Sequence, residues 1–361
     1  EIPFYLDAVF EMISGFTTTG SSILPNVEAL SRCMLLWRSF SHWLGGMGIL
    51  VFMLAIVKME GGQGIHLLRA ESPGPTVGKM VPRMVDSSKI LYTIYFALTL
   101  VQVVFYLAGG MPLFDSLCNA FATAGTGGFS VRNSGLADYS AYLQAVTTVF
   151  MVLFGVNFSV YFFLLRRRFR LAWHNSEVRW YFIIIFGAIV LISANLLLTG
   201  GFFSTVFQTI HHVAFSVGSV ITTTGFGTAD FAKWPEFSKT VLLILMAIGA
   251  CAGSTGGGLK VSRLIILFRA ARAEIHRLLH PHTVKVMQMD GKPISRESIR
   301  SVSTYLILYV FLVMASVLLV SLDNFDGSTT LTAVLATFNN IGPGLGLVGP
   351  TGSFAAFSPL S

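Results

Sequence analysis

Apolar and polar positions separate along this chain into long apolar runs joined by short charged linkers. A helix that crosses a bilayer needs about 20 mostly apolar residues. The candidates for spanning helices are Trp43–Val57 with its flank from Trp37, Ile90–Ala108, Leu143–Leu165, Trp180–Leu198, Val241–Ala252 and Tyr305–Leu322. Four further stretches, Tyr5–Gly15, Phe114–Ala120, Val206–Val220 and Thr329–Thr337, are shorter and only moderately apolar. Asp7, Glu11, Asp115, Asn119, Gln208, His211 and His212 interrupt them. Segments of that length read as re-entrant helices that enter the membrane and turn back.

Each short stretch runs into a glycine segment: Phe16-Thr-Thr-Thr-Gly20-Ser-Ser22, Phe121-Ala-Thr-Ala-Gly125-Thr-Gly127, Ile221-Thr-Thr-Thr-Gly225-Phe-Gly227 and Phe338-Asn-Asn-Ile-Gly342-Pro-Gly344. The central glycines recur at intervals of roughly a hundred residues. A large apolar residue stands four positions before each, and Thr18, Thr123, Thr223 or Asn340 stands two before. Four such segments in register define an internal repeat. Its unit is a spanning helix, a short descending helix, an extended return and a second spanning helix. Non-helical backbone at membrane depth is tolerated only where protein buries it or where it lines a water-filled cavity. The expected fold is therefore an all-α polytopic membrane protein with pseudo-fourfold units around one pore, bounded at residues 1–60, 85–170, 177–275 and 297–361. The first unit lacks its leading helix and the fourth its trailing helix, so the chain is expected to be part of a longer protein.

Composition agrees with a membrane solvent. Hydrophobic residues make up 53% of the chain, charged residues 11%, and mean hydropathy is +0.71, whereas soluble domains carry about 25% charge. The net charge of +7 does not point to nucleic acid, because its placement follows membrane topology. Lys and Arg gather in three linkers: Lys58 to Lys89, Arg166 to Arg179, and Lys260 to Arg300. That asymmetry places the three linkers in the cytoplasm. The opposite side carries Glu28, Asp115, Asp138, Asp230, Glu236, Asp323 and Asp326, an acid-rich face that raises the local concentration of cations. Cys33, Cys118 and Cys251 lie far apart, without metal-ligand or disulfide spacing, and read as small buried hydrophobes.

A dehydrated monovalent cation needs oxygens in place of its hydration shell, and rings of backbone carbonyls supply them. Aiming successive carbonyls at one axis demands backbone angles that favour glycine. The candidate cation-binding positions are Thr18, Thr19 and Gly20; Thr123, Ala124 and Gly125; Thr223, Thr224 and Gly225; and Asn340, Ile341 and Gly342. No carboxylate interrupts these segments, which fits a weakly held monovalent ion better than calcium.

The pattern resembles the Thr-Val-Gly-Tyr-Gly filter of potassium channels in its degenerate single-chain form, the TrkH/TrkG/KtrB superfamily. The segments His42-Trp-Leu-Gly-Gly-Met-Gly-Ile49, Arg69-Ala-Glu-Ser-Pro-Gly-Pro75 and Ala252-Gly-Ser-Thr-Gly-Gly-Gly-Leu-Lys260 are similar to the TrkH branch, and the likeness covers essentially the whole chain. It implies potassium uptake across a bacterial inner membrane, potassium-channel-type units, a homodimer, and a cytosolic TrkA-type partner that carries the nucleotide. It implies no organic cofactor and no enzymatic activity in this chain. Ser22 replaces a filter glycine, and the unequal corners predict moderate discrimination among potassium, rubidium, caesium and sodium.

Within the third unit, Gly249-Ala250-Cys251-Ala252-Gly253-Ser254-Thr255-Gly256-Gly257-Gly258 breaks the last spanning run. Glycine costs about 1 kcal/mol relative to alanine in a helix interior, so an unwound stretch is expected there. Close helix packing through small residues is the plainer alternative; the family resemblance implies a gate, with Lys260 at its end. Lys260 itself reads either as a repulsive charge at the inner mouth or as an anchor at the headgroup level. The basic linkers are candidate docking surfaces for the partner.

Other patterns in the chain lack the context their chemistry needs. Gly344-Leu-Gly346-Leu-Val-Gly349 has glycine spacing of the dinucleotide-binding type, but no βαβ unit surrounds it. Gly253–Lys260 lacks the lysine and hydroxyl placement of a phosphate loop. An intramembrane hydrolase built on Ser254 and His211-His212 needs nucleophile and base within hydrogen-bond reach, and the repeat separates them. A secondary transporter with inverted repeats is disfavoured because these repeats run in one orientation.

Overall fold

The computed structural model describes residues 1–48, 84–280 and 287–358. The remainder of the Trp43–Val57 run, the Arg69–Pro75 segment, and Lys58, Arg69, Lys79, Arg83 and Lys285 lie outside the described residues. The helices are α1 (Tyr5–Phe16), α2 (Arg32–Gly46), α3 (Met84–Ala108), α4 (Leu113–Ala124), α5 (Ala141–Phe154), α6 (Phe158–Leu165), α7 (Phe169–Trp173), α8 (Ser176–Thr199), α9 (Val206–Ile221), α10 (Glu236–Ile248), α11 (Val261–Leu279), α12 (Arg296–Val320) and α13 (Gly327–Phe338). A two-residue hairpin, β1 (Gln288–Met289) with β2 (Lys292–Pro293), precedes α12.

Many of the helices begin on a side chain that accepts one of the orphan N–H groups of the first turn. Ser31, Ser140, Asn175, Thr205, Ser295 and Asp326 do this for α2, α5, α8, α9, α12 and α13. The four short helices anticipated from the repeat are α1, α4, α9 and α13. Their packing repeats too. α4 rests on α3 and α2, α9 on α8 and α5, and α13 on α12 and α10, so each of these three packs against the helix before it in sequence and against an earlier one. Tyr95, Tyr106, Phe154 and Phe158 fill the core between α3 and α6, and Tyr181, Ile192, Val213 and Met246 that between α8 and α10.

Among the described residues, three helices are long and apolar enough to cross a membrane, at Lys89–Ala108, Ser176–Thr199 and Arg296–Asp323. Their outer faces leave Phe96 and Val104, Ile183 and Phe186, and Ile307 and Phe311 exposed. Water would penalise such continuous apolar surface, and hydrocarbon does not.

One span differs from expectation, and a second breaks where its glycines predict. Leu143–Leu165 is not one helix: α5 and α6 meet at a bend of 91°. Gly155 ends α5, and Asn157 starts a new helix by accepting the N–H of Ser159 at 2.9 Å. Val241–Ala252 stops early as a helix, because Gly249 takes φ +73° after Ile248. The two breaks face each other. Cys251 N donates to Gly155 O at 3.1 Å, and Phe158 N donates to Gly253 O at 2.9 Å. Backbone groups freed in one helix are thereby satisfied by the other, as burial requires.

Candidate functional site

Each short helix ends in the same way. At α1, Thr18 N donates to Gly15 O and Thr19 N to Ser14 O; at α9, Thr223 N donates to Val220 O and Thr224 N to Ser219 O. At α13, Asn340 N donates to Thr337 O and Ile341 N to Ala336 O. This paired closure is the Schellman motif, whose left-handed residue is usually glycine. Here that residue is Thr18 (φ 58°), Thr223 (φ 58°) or Asn340 (φ 56°). A β-branched side chain at positive φ is strained, and strain of this kind costs about 1–3 kcal/mol per residue. Two positions later comes a glycine at positive φ: Gly20 (75°), Gly225 (82°) and Gly342 (91°).

The second segment follows the same rule in a different register. Thr126 N donates to Thr123 O, Gly127 N donates to Ala122 O, Thr126 has φ 53° and Gly128 has φ 79°. Its counterparts of Thr18, Thr19 and Gly20 are therefore Thr126, Gly127 and Gly128. Thr123 and Ala124 belong to α4, and Gly125 caps it with right-handed angles, φ −72° and ψ −9°. The expectation for Thr123, Ala124 and Gly125 is corrected by three residues. Both frames place a threonine two residues before a glycine, and only the left-handed turn tells them apart. Gly125 has a separate reason to be glycine: a Cβ there would stand 2.1 Å from the carbonyl oxygen of His42 on α2.

The four segments touch in cyclic order. A Cβ built on Gly20 would lie 1.8 Å from Gly127 O, on Gly128 2.0 Å from Thr224 O, and on Gly225 2.0 Å from Ile341 O. On Gly342 it would lie 3.1 Å from Thr19 O, which returns to the first segment. In every case the third residue of one turn meets the second carbonyl of the next. Thr19 Oγ1 also donates to Asn340 Oδ1 at 3.0 Å, and Ser21 Oγ to Gly342 O at 3.3 Å.

Side chains missed by the sequence reading hold these turns from behind. His42 is fully buried between the first two: its Nδ1 lies 2.8 Å from Gly15 O, and its Nε2 accepts Phe129 N–H at 3.3 Å. Those bonds require the neutral tautomer with its proton on Nδ1. Behind the first turn, Arg38 Nε donates to Glu11 Oε1 at 2.8 Å, and Glu11 Oε2 accepts Ile23 N–H at 3.1 Å. Ser22 Oγ donates to the same carboxylate at 3.0 Å, which gives the residue that departs from glycine a partner of its own. In the corrected register Ser130 occupies the matching place in the second turn, where it donates to Gly135 O.

The glycine loop from Gly249 to Lys260 lies against the third and fourth turns. Gly257 N donates to Thr223 Oγ1 at 2.6 Å. A Cβ on Gly257 would stand 2.3 Å from Asn339 O, and one on Gly256 2.8 Å from Thr222 O. Gly249, Gly253, Gly258 and Lys260 all have positive φ. Ala250 and Cys251 are completely buried, and Ala252 and Thr255 nearly so. Lys260 is buried as well and its Nζ donates to Gly256 O, so it is part of the loop and not a side chain reaching for the headgroups. Ser254 donates to Cys251 O, while His211 pairs with Gln144 and His212 with Thr228. No nucleophile–base pair joins them.

Comparison with known proteins gives one consistent result. The sequence profile of a family described as "TrkH: Cation transport protein" matches residues 2–361. The Trk system potassium uptake protein TrkH of Escherichia coli strain K12 is 35% identical over 358 residues, 98% of this chain and 74% of that protein. The protein of that name in Halomonas elongata is 35% identical over 343 residues, 94% of this chain and 71% of its own length. Among solved structures, the potassium transporter TrkH from Vibrio parahaemolyticus superposes with a TM-score of 0.85 at 30% identity, covering 98% of this chain and 73% of that one.

Proposed function

From the premise that this chain belongs to the TrkH family of cation transport proteins, we propose that it takes up potassium across a bacterial inner membrane through one filter made by its four turns. The family is one of membrane transporters, not of enzymes. The observation that carries this reading is the cyclic contact of Gly20, Gly128, Gly225 and Gly342 with the next turn's carbonyl. A backbone alternating between positive and negative φ turns successive carbonyls toward one side, and four such turns around an axis replace water about a bare cation. The strain at the β-branched Thr18, Thr126 and Thr223 supports this reading, because folding alone would favour glycine or, as at Asn340, asparagine there.

In this reading the units run over residues 1–60, 85–170, 177–275 and 297–361, and the filter residues are Thr18, Thr19 and Gly20, then Thr126, Gly127 and Gly128, then Thr223, Thr224 and Gly225, and finally Asn340, Ile341 and Gly342. Potassium is the substrate. Rubidium, caesium and, less readily, sodium follow through a ring whose corners are chemically unequal. The loop Gly249–Lys260, bonded to Thr223, obstructs the inner end and serves as the gate. A homodimer and a TrkA-type nucleotide-binding partner on the basic cytosolic linkers complete the assembly.

The test is potassium uptake in potassium-deficient cells expressing the full-length protein. Gly128→Ser and Gly225→Ser are expected to reduce uptake at least a hundredfold, while Gly187→Ser, with open space around its Cβ position, stays within twofold of the parent. Uptake at parental level in both filter variants would overturn the reading. Deleting Ala250–Gly257 is expected to raise flux in liposomes; unchanged or lower flux in folded protein refutes the gate.

A further inference from the structure

The loop is held by a carboxylate from a different helix. Glu177 is the second residue of α8 and is 4% exposed. Its Oε1 accepts the N–H of Ala252 at 2.6 Å and that of Ser262 at 3.1 Å. Ala252 lies near the start of the loop, and Ser262 is the second residue of α11, just past its end. The other oxygen, Oε2, accepts Asn157 Nδ2 at 3.4 Å. Asn157 is the residue that restarts the broken helix of the preceding unit. One side chain therefore gathers both ends of the loop and the helix break beside it.

We infer that Glu177 is the clasp that keeps the loop in its obstructing position, a positioning residue for gating; this rests on the reading of the loop as a gate. The chemistry favours a carboxylate here. Ser262 N–H is one of the orphan donors in the first turn of α11, where negative charge is stabilised by the helix dipole. Ala252 N–H is buried in an unwound segment with no helical partner to accept it. A single oxygen taking both donors ties two points ten residues apart in sequence, one near each end of the loop, so losing it frees both ends from α8 at once. The other bonds on the loop are separate: Cys251 N to Gly155 O, Phe158 N to Gly253 O, Gly257 N to Thr223 Oγ1 and Thr255 Oγ1 to Phe154 O hold it to neighbouring elements, and Leu259 N to Ala247 O, Lys260 N to Ile248 O and Val261 N to Ala250 O pair its ends. The Asp290 carboxylate of the cytosolic hairpin accepts Ser176 N–H at 2.8 Å, which fixes the turn that carries Glu177.

The loop contains its own reporter. Cys251 is fully buried beside Ala252, Cys118 is fully buried in α4 away from the loop, and Cys33 is exposed. In full-length protein carrying Cys33→Ser, the rate of maleimide labelling at Cys251 is measured in Glu177→Ala and Glu177→Gln, with rubidium flux in liposomes alongside. Glu177→Ala is expected to speed Cys251 labelling about tenfold while Cys118 labelling and the potassium-to-sodium ratio stay at parental values. Glu177→Gln keeps one acceptor oxygen and falls between; it decides the question if the alanine variant does not fold. Unchanged Cys251 labelling overturns the clasp, as does equal acceleration at Cys118, which would mean general loosening. Flux separates the two readings: faster Cys251 labelling without a rise in flux upholds the clasp and refutes the gate.

Discussion

The four glycine turns and the loop Gly249–Lys260 are both glycine-rich, largely buried and non-helical, yet they are restrained in opposite ways. Every glycine turn is bonded into the end of its own short helix by two backbone bonds, and each leans on the next turn around the ring. Nothing in that arrangement can move alone. The loop is fixed by bonds to other elements: Glu177, Gly155, Phe158 and Thr223 each contribute one or two. Its ends also pair across the break, with Leu259 N on Ala247 O and Lys260 N on Ile248 O. A segment restrained by a few separable bonds can leave as a unit, whereas a closed ring of mutual contacts cannot. Local stability differs between such regions even within one fold.

The largest effect expected from this contrast is at the first corner, where charged side chains do the holding. Arg38 and Glu11 are both essentially unexposed. Removing one partner of a buried pair strands the other, at a cost of about 3–5 kcal/mol. Arg38→Gln is expected to lower thermal stability in detergent by that order and to weaken potassium-over-sodium discrimination. Cys251 labelling should stay unchanged, because the pair touches Ser22 and Ile23 and not the loop. Faster Cys251 labelling in this variant would show that ring and loop move together and would break the comparison.

A smaller effect is expected where the two regions meet. Gly257 fits between Thr223 and Asn339, and a Cβ there would stand 2.3 Å from Asn339 O. Gly257→Ala is expected to displace the loop from the turns and raise basal rubidium flux several-fold, with ion selectivity retained. Gly253→Ala, whose Cβ would meet only the Asn157 side chain at 3.4 Å, is the milder control, although its φ of +69° still disfavours alanine. If both variants lose selectivity along with gating, the loop is part of the filter.

How much of this was legible in sequence follows from the range of the forces involved. The short helices and the three unbroken spans are set by apolar run length, which the chain displays directly; α1, α9 and α13 start and stop close to the expected residues, whereas α4 runs on past Ala120 to Ala124. The unwound loop was legible from glycine density. The break between α5 and α6 was also written locally, as Gly155 followed by Asn157, but it sits in a run apolar enough to read as continuous. The second turn was misread because Thr123-Ala-Gly125 and Thr126-Gly-Gly128 satisfy the same pattern, and backbone handedness is not a property of composition. Glu177 was invisible for a different reason. Its partners are Ala252 and Ser262, far along the chain, and a lone acid near a helix start ordinarily signals capping.

The smallest effect is expected at the outer end of the fourth corner. Asp326 caps α13: Ser328 Oγ donates to Oδ2, Thr329 Oγ1 donates to Oδ1 at 2.5 Å, and Thr329 N donates to Oδ2 at 3.0 Å. These bonds, with that from Ser328 first, hold its carboxyl down at about 2, against an ordinary value of 3.8. A depressed value means the native state prefers the ionised form, so the cap's contribution is complete above the ordinary value and is lost as pH falls through about 2. At neutral pH, Asp326→Ala is expected to cost about 0.5–2 kcal/mol, and Asp326→Asn far less, since asparagine caps nearly as well. Melting in detergent should show the parent and Asp326→Ala converging as pH drops from about 4 toward 2, while the gap between Asp326→Asn and Asp326→Ala stays flat. Thr329 Oγ1 also accepts Leu347 N–H at 3.2 Å, so a loosened cap reaches the segment that follows the fourth turn, and a slight loss of selectivity should accompany it. Cys251 should not respond. A cap on a short helix supports only the corner that helix carries, and a loop answering to Asp326 would mean that the ring transmits strain it is built to contain.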